Sequence, residues 1–267
     1  MGDPQRYFHY SLLLMIWNLL STPDPRPGWW QMALDQALLD EAERTGVGFL
    51  RCYRWAPWTL SFGRNEPALR RYDREGLEAR GMAVVRRPTG GRAVWHAAEC
   101  TYAVAAPVPA FGSVPAAYQA IHATIARAVE GLGTRASLAP ATRPLAVGAG
   151  ACFAAPVGGE VLLGTRKVAG SAQLQQGGAL LQHGSILLEG NQQVVAEVTL
   201  GAAPAGSEVA LSAVLGRPVA FEEMAAALLA EARRWVGTWR VLAPAQAEVL
   251  VARHAGRFQD PAWTWRR

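Results

Sequence analysis

The chain has 267 residues, a net charge of +5 and a pI of about 9.5. Hydrophobic residues make up 51% of it, enough for the core of one large domain, and this excludes disorder of the whole chain. The basic residues form no dense block, so nucleic-acid binding is not expected, whereas the excess positive charge suits an acidic protein partner.

The cysteines indicate the compartment. Cys52, Cys100 and Cys152 are widely spaced and form no C-x-x-C pair. Such spacing supports neither a zinc site nor a disulfide framework. It favours a reducing compartment, and we expect a cytoplasmic protein.

The first residues are apolar but do not predict a membrane anchor. Residues 10–20 are too few to span a bilayer, and they lack the basic start and small-residue cleavage site of a signal peptide. Met15 is an alternative start, because residues 16–20 have the pattern of a strand. We then expect residues 1–14 to be a dispensable leader and residues 15–267 to form one catalytic domain with a core over about 29–240.

Periodicity predicts mixed helices and strands in the first part of the chain. We expect helices over 31–44 and 73–80, and strands over 49–55, 58–62 and 82–85.

The middle of the chain continues without strict alternation of strand and helix. Residues 93–96 and 101–105 are predicted to form an antiparallel pair, and a helix follows at about 115–131. Residues 134–151 are rich in Ala, Gly and Pro and are predicted to be a loop.

In the last part of the chain, the apolar pattern predicts strands over 160–164, 167–172 and 179–188, and helices over 221–236 and 245–255. The fold class expected from all these elements is α+β, one domain with a mostly antiparallel sheet flanked by helices.

The first motif reads RRPTGGRAVWH from Arg86 to His96. Glycines such as Gly90 and Gly91 let backbone N–H groups approach a ligand, and arginines bind phosphate or carboxylate. The same pattern is also common in an ordinary tight turn. A Walker loop is excluded, because the Gly-Lys-Ser/Thr ending is missing.

The second motif, GTRKVAGSAQ over 164–173, contains the only lysine of the chain, Lys167. A buried lysine can lose its charge and act as an acid or base, which arginine cannot easily do. Backbone N–H groups over 170–172 are candidates for binding an oxyanion. The alternative interpretation is a hairpin with an exposed lysine.

Cys152 lies 15 residues before Lys167 and directly follows the Gly-Ala-Gly segment 148–150. A lone cysteine is most often a buried hydrophobe, but a Gly-rich loop favours an exposed, reactive thiol. Cys52 and Cys100 lie in strand-like runs and are predicted to be packing residues.

His183 lies in LQHGSIL over 181–187 and precedes Gly184 inside an apolar strand. This pattern is typical of a hydrogen-bonded core histidine, and it is also compatible with the wall of a pocket.

Taken together, these segments resemble the lipoate–protein ligase A / octanoyltransferase superfamily, which shares a catalytic domain with the biotin–protein ligases. The resemblance covers about residues 29–239 and rests on the loop over 86–96, on Lys167 and on QHGS over 182–185.

Within this superfamily the chain looks most like the LipM-type octanoyltransferases. Ligases usually have a third glycine where this chain has Arg92, lack a cysteine at the position of Cys152, and often have a further C-terminal domain. Two departures from the branch, Asn65-Glu66 and Ala97-Ala98, put details of the substrate in doubt.

The resemblance implies octanoyl-[acyl carrier protein]:protein N-octanoyltransferase activity in lipoate biosynthesis, with no nucleotide and no metal required. Lys167 as ammonium would lower the pKa of Cys152, whose thiolate attacks the octanoyl thioester and forms an acyl-enzyme. A lysine of a lipoyl domain, in a glycine-cleavage H protein or a dehydrogenase E2, then accepts the acyl group.

The resemblance also implies which residues contact the substrate. Some would line the acyl tunnel or the opening for pantetheine: Arg86, Gly90, Gly91 and His96. The others are Gly170, Ser171, Ala172, Gln173, His183 and Gly184.

Three other functions stay open. An ATP- and Mg²⁺-dependent lipoate–protein ligase would pass through lipoyl-adenylate. An amidotransferase would move octanoyl between two lipoyl domains through a cysteine. A non-catalytic protein would bind lipoyl domains or acyl carrier protein without forming an acyl-enzyme.

Overall fold

The computed structural model describes residues 15–21, 24–140, 159–201 and 206–266. Cys152, the glycines before it and the predicted leader over 1–14 lie outside the described residues. The domain bounds drawn from the sequence therefore stay predictions.

A six-stranded sheet forms the centre of the fold, with strand order β10-β11-β6-β2-β1-β12. These strands are β1 Ile16–Ser21, β2 Gly48–Tyr53, β6 Glu99–Pro107, β10 Ala169–Gln176, β11 Ala179–Leu187 and β12 Thr238–Leu242. The pairings from β10 to β2 are antiparallel, and β1 pairs in parallel with both β2 and β12. The predicted α+β class is confirmed, with antiparallel pairing in three of the five contacts of this sheet.

Two three-stranded sheets accompany it, with orders β4-β3-β5 and β7-β8-β9. Their strands are β3 Thr59–Phe62, β4 Ala83–Arg86, β5 Val94–His96, β7 Ser137–Leu138, β8 Val161–Leu163 and β9 Arg166–Lys167. The predicted antiparallel pair of 93–96 with 101–105 is wrong. The chain turns at Ala97, whose carbonyl accepts from Glu99 N, so β5 pairs with β3 while β6 enters the large sheet.

The five predicted helices are present, but those predicted over 221–236 and 245–255 end earlier, at Ala232 and Ala252, and five short helices were not predicted. The helices are α1 Gly28–Thr45, α2 Ala68–Arg71, α3 Arg74–Ala79, α4 Val114–Glu130, α5 Gln193–Glu197, α6 Leu211–Leu215, α7 Phe221–Ala232, α8 Pro244–Ala252, α9 Ala255–Gln259 and α10 Pro261–Thr264. None of these described helices is long and apolar enough to cross a membrane.

Side chains that alternate along each strand divide the core between the two faces of the large sheet. On one face, Ala103 and Ala105 of β6 pack with α1 and with Phe258 of α9. On the other face, Tyr102 and Val104 pack with α4 and α7. The pocket described next opens on the α1 face.

Candidate active site

One row of residues, paired across four strands, forms the floor of a pocket. Gly170 of β10 pairs with Ser185 of β11, Ser185 with Thr101 of β6, and Thr101 with Tyr53 of β2. Three strand spacings of about 4.8 Å make this row roughly 14 Å long. The empty volume, including space open to solvent, is about 310 Å³. The lining residues are Met32, Tyr53, Trp55, Arg87, Val94, His96, Thr101, Gly170, Ser171, Ala172, His183, Gly184 and Ser185.

The pocket is more open at the β10 end than at the β2 end. Ser171, Ala172 and Gly184 are half-buried, whereas Met32 and Tyr53 have no exposed surface. Gly184 permits the close packing of this end, because a Cβ there would lie 2.4 Å from the carbonyl oxygen of Gly170. A side chain at position 184 would therefore push β10 and β11 apart.

Beneath the pocket, His183 is held by two hydrogen bonds. Its Nδ1 lies 2.7 Å from Asp35 Oδ2, and its Nε2 lies 2.6 Å from Thr89 Oγ1. The carboxylate of Asp35 also accepts from Arg51, with Nη2 to Oδ1 at 2.6 Å. The prediction of a hydrogen-bonded core histidine and that of a pocket wall are therefore both right.

The pKa values in this cluster follow from burial and from the neighbouring charges. Burial alone would raise the pKa of Asp35, but the Arg51 cation and the hydrogen bond from His183 outweigh it and lower that pKa below its usual value. Burial lowers the pKa of His183, against the opposing effect of Asp35. A neutral His183 then donates from Nδ1 to Asp35 and accepts at Nε2 from Thr89.

His96 forms the adjoining part of the wall. Its ring stacks on Trp55 with centroids 3.9 Å apart. Its Nε2 lies 2.6 Å from Ser61 Oγ, and its Nδ1 lies 2.7 Å from Glu99 Oε1. Because Arg87 Nη1 donates to Ser61 Oγ at 2.6 Å, the hydroxyl hydrogen of Ser61 is directed to His96 Nε2.

The two neighbouring arginines of the first motif have different positions. Arg87 lines the pocket, and its Nη2 donates to the carbonyls of Gly90 and Arg92. Arg86 is not among the residues that line this pocket, and its predicted place in the acyl tunnel or the pantetheine opening stays a prediction. Its buried guanidinium donates to six backbone carbonyls: those of Gly63, Arg64, Glu66, Trp263, Thr264 and Arg266.

Gly90 and Gly91 form the loop above Arg87 and are not part of the pocket wall. Gly91 has φ of +83°, a conformation that favours glycine. Its carbonyl packs against Gly63, where a Cβ would lie 1.8 Å from that oxygen. These glycines therefore permit close contact between two loops, and direct contact of Gly90 or Gly91 with a ligand stays a prediction.

Lys167 is fully buried, so the alternative of a hairpin with an exposed lysine is wrong. Its Nζ donates to Glu160 Oε1 at 2.6 Å, and Glu160 is itself 2% exposed. Backbone bonds to Ser207 and Val209 hold β9 in place. Because Cys152 lies outside the described residues, its proximity to Lys167 stays a prediction.

A polar network that the sequence did not reveal lies on the α4 side of Ser171. Ser171 Oγ lies 2.8 Å from His122 Nε2 and 2.7 Å from Tyr102 OH. Burial and the Lys167 cation lower the pKa of His122 to about 3, and no atom of the described residues forms a hydrogen bond with His122 Nδ1. A histidine on the apolar face of a helix gave no signal in the sequence, since its partners come from distant strands.

The structure thus brings six of the predicted site residues into one pocket wall: His96, Gly170, Ser171, Ala172, His183 and Gly184. Gln173 lies outside it and donates to Val114 O and Gln182 Oε1 instead. In the described ranges no cluster of His, Cys, Asp or Glu could hold a metal ion.

Comparison with known proteins identifies the class. The lipoyl protein ligase A/B catalytic domain family matches residues 27–233. The chain belongs to this family, and it is an acyltransferase.

Two relatives and one solved structure illustrate the similarity. The octanoyltransferase LipM of Exiguobacterium sibiricum is 33% identical over 94% of this chain and 99% of its own length. That of Kyrpidia tusciae is 40% identical over 66% of this chain and 67% of its own length. The crystal structure of a lipoate-protein ligase A bound with ATP has a TM-score of 0.76 at 19% identity, covering 94% of this chain and 98% of that one, and it supports the fold.

Proposed function

We propose that the protein is an octanoyl-[acyl carrier protein]:protein N-octanoyltransferase that acts in lipoate biosynthesis. The observation that carries this proposal is the similarity to octanoyltransferase LipM over nearly the whole of both chains. The pocket is compatible with it, because a groove roughly 14 Å long that ends at the buried Met32 and Tyr53 suits a short acyl chain.

The proposed reaction has two halves. The Cys152 thiolate attacks the carbonyl carbon of the octanoyl thioester, and the pantetheine thiolate leaves and takes up a proton. A lipoyl-domain lysine in its neutral form then attacks the Cys152 thioester; the C–S bond breaks, an amide forms, and the proton lost by the amine balances the Cys152 sulfur that leaves as thiol.

Lys167 supports both halves in this proposal. As ammonium it favours the thiolate over the thiol, and it is able to pass a proton to the leaving sulfur. Glu160 fixes the Lys167 amine by its 2.6 Å hydrogen bond. The backbone N–H groups near Gly170, Ser171 and Ala172, at the open end of the pocket, are proposed to stabilise the tetrahedral oxyanion.

The proposed partners are octanoyl-acyl carrier protein as donor and lipoyl domains of an H protein or an E2 as acceptors. No nucleotide or metal enters these two steps. The proposed location is the cytoplasm, where the free thiols Cys52 and Cys100 would stay reduced.

Intact-protein mass spectrometry after incubation with octanoyl-acyl carrier protein, without ATP, tests this function. Wild type should gain one octanoyl group that hydroxylamine removes and that a lipoyl domain accepts. Cys152→Ala should gain none and should lose at least about a thousandfold in transfer rate, because the nucleophile is gone. Cys52→Ala is the matched control and should keep the adduct.

Other outcomes would assign the rival functions. Modification of a lipoyl domain only when ATP and free octanoate or lipoate are present would indicate a ligase. An adduct formed from an octanoylated lipoyl domain, but not from the carrier protein, would indicate an amidotransferase. Binding to either protein without any adduct would indicate a non-catalytic role.

A further inference from the structure

Three arginines from distant parts of the chain meet beside the loop that follows Arg87, next to the pocket wall. We call Arg64, Arg257 and Arg266 the arginine patch. The guanidinium carbons of Arg257 and Arg266 lie 3.8 Å and 4.4 Å from the ring centre of Trp263. Arg266 Nη2 also donates to the backbone carbonyl of Arg64. All three side chains are partly exposed.

The charge of this patch is not neutralised by nearby carboxylates. Over the described ranges, no carboxylate oxygen lies within 4 Å of any of its three guanidinium groups. Burial and then repulsion from Arg64 and Arg266 lower the pKa of Arg257. Asp40 partly opposes this, but that carboxylate is engaged with His254 Nε2 at 2.6 Å. The patch therefore presents concentrated positive charge to solvent.

The backbone beneath the patch is held in place. Arg86 donates to the carbonyls of Trp263, Thr264 and Arg266, and Trp265 packs on Phe62 with ring centroids 5.2 Å apart. Arginines on such a fixed support lose little conformational freedom when they bind an anionic group.

The patch is adjacent to the pocket. Arg64 N donates to Thr89 O, and the side chain of Thr89 contacts His183 in the pocket wall. Gly63 touches Gly91, and Arg87 connects this loop to the pocket through the carbonyls of Gly90 and Arg92. A protein bound to the patch is thus placed next to the opening.

We propose that the arginine patch docks the acidic carrier protein that delivers the acyl thioester. This inference rests on the proposed function. The donor is favoured over the acceptor, because the arm of a carrier protein bears a negative phosphate, which guanidinium groups bind well. The acceptor instead brings a lysine ammonium, which the patch would repel.

Transfer from two donors tests the patch. The double variant Arg257→Gln/Arg266→Gln should lower kcat/KM for octanoyl-acyl carrier protein by about tenfold at low salt and weaken its salt dependence. Transfer from octanoyl-pantetheine, which has neither carrier protein nor phosphate, should stay within about twofold of wild type.

The matched control is Arg233→Gln/Arg240→Gln. Both side chains are exposed: Arg233 caps α7 on the opposite face of the large sheet, and Arg240 lies on the edge strand β12. This control removes the same two charges and should keep both activities. Arg64→Gln is a second test variant. The Arg64 side chain makes no hydrogen bond or ion pair within the described residues, so its removal should leave the fold intact. This variant should lose transfer from octanoyl-acyl carrier protein but not from octanoyl-pantetheine.

An equal loss with both donors, or a loss in the control as large as in the patch variants, would overturn the proposal. So would a weaker affinity for the lipoyl domain with unchanged affinity for the carrier protein, measured by fluorescence anisotropy. If wild type transfers octanoyl from neither donor, the proposed function fails. The affinity of wild type and variants for the acyl carrier protein then still decides whether the arginine patch binds that protein.

Discussion

Arg51 and Arg86 are both fully buried, but they are stabilised in opposite ways. Arg51 lies under the pocket and pairs with the carboxylate of Asp35 at 2.6 Å. Arg86 lies under the segment over 263–266, where among the described residues it donates only to backbone carbonyls, and burial lowers its pKa to about 10. The region around Arg51 is therefore stabilised by an ion pair between two side chains, and the region around Arg86 by hydrogen bonds from one side chain to backbone carbonyls.

This difference determines what each arginine does. The Arg51–Asp35 pair fixes His183 and so shapes the pocket wall. Arg86 fixes the loop at Gly63 and the segment over 263–266, on which the arginine patch stands. Substitution should therefore disturb the first region through an unpaired charge and the second through unsatisfied carbonyls.

The largest effect is expected in the first region. Arg51→Met should lower the free energy of unfolding by about 3–5 kcal/mol, because Asp35 then stays buried without its cation. Urea denaturation followed by circular dichroism measures this. The double variant Asp35→Asn/Arg51→Met should regain part of the loss, and purely additive losses would show that the pair is not coupled.

Arg86→Met should cost less, about 2–3 kcal/mol, because three of its carbonyl partners, in Arg64, Trp263 and Arg266, belong to partly exposed residues that water can solvate. No single second substitution should rescue it. Hydrogen exchange should increase mainly over 261–266 and around Gly63. Arg86→Lys, with fewer donors, is expected to be intermediate. Unchanged exchange in these segments would contradict the anchoring role.

The smallest expected effect is a difference between the two regions in how each contributes to the pH dependence of the free energy of unfolding. The folded-state pKa of His183 is lowered, so the unfolded chain binds this proton first and stability falls as the pH falls below about 6.5. Asp35, whose pKa is also lowered, adds stability above about pH 3.9 that is lost as the pH falls through its folded value. The carbonyls around Arg86 do not titrate.

Denaturation at pH 7, 6 and 5 tests this expectation. His183→Gln should reduce the slope of stability against pH by up to about 1.4 kcal/mol per pH unit, whereas Arg86→Met should leave the slope unchanged. His122, whose pKa is lowered to about 3, keeps contributing in both variants. A slope unaffected by His183→Gln would contradict the buried neutral histidine.

Local pattern predicted the five longest helices and most of the strands, but not β12 and not the partners of each strand. The helix predicted over 31–44 and the strand predicted over 49–55 correspond to α1 and β2, although α1 is buried on most of its surface and β2 on both faces. The pairing of β5 with β3 was missed, since strand partners depend on the turn at Ala97. His96 and His183 line the pocket, and their contact with substrate stays a prediction, as do the roles of Cys152 and Lys167.

Arg86 shows why part of the site could not be predicted. An arginine before two glycines has the pattern of a ligand loop, and its neighbour Arg87 does line the pocket. The carbonyls that occupy Arg86 belong to residues close to 64 and 265, and a backbone carbonyl has no signature in the sequence. Tyr53, Met32 and Trp55 were likewise missed as pocket residues, because each matches an ordinary core pattern.

The position of β1 has a consequence for synthesis on the ribosome. Its residues Ile16–Ser21 lie between β2 and β12, and Trp17 pairs with Trp239, more than two hundred residues later. A nascent chain that has reached only residue 237 would present β1 as an apolar edge strand with unpaired backbone groups, which invites association with other chains. Cellular chaperones would therefore be most needed in the interval before β12 emerges.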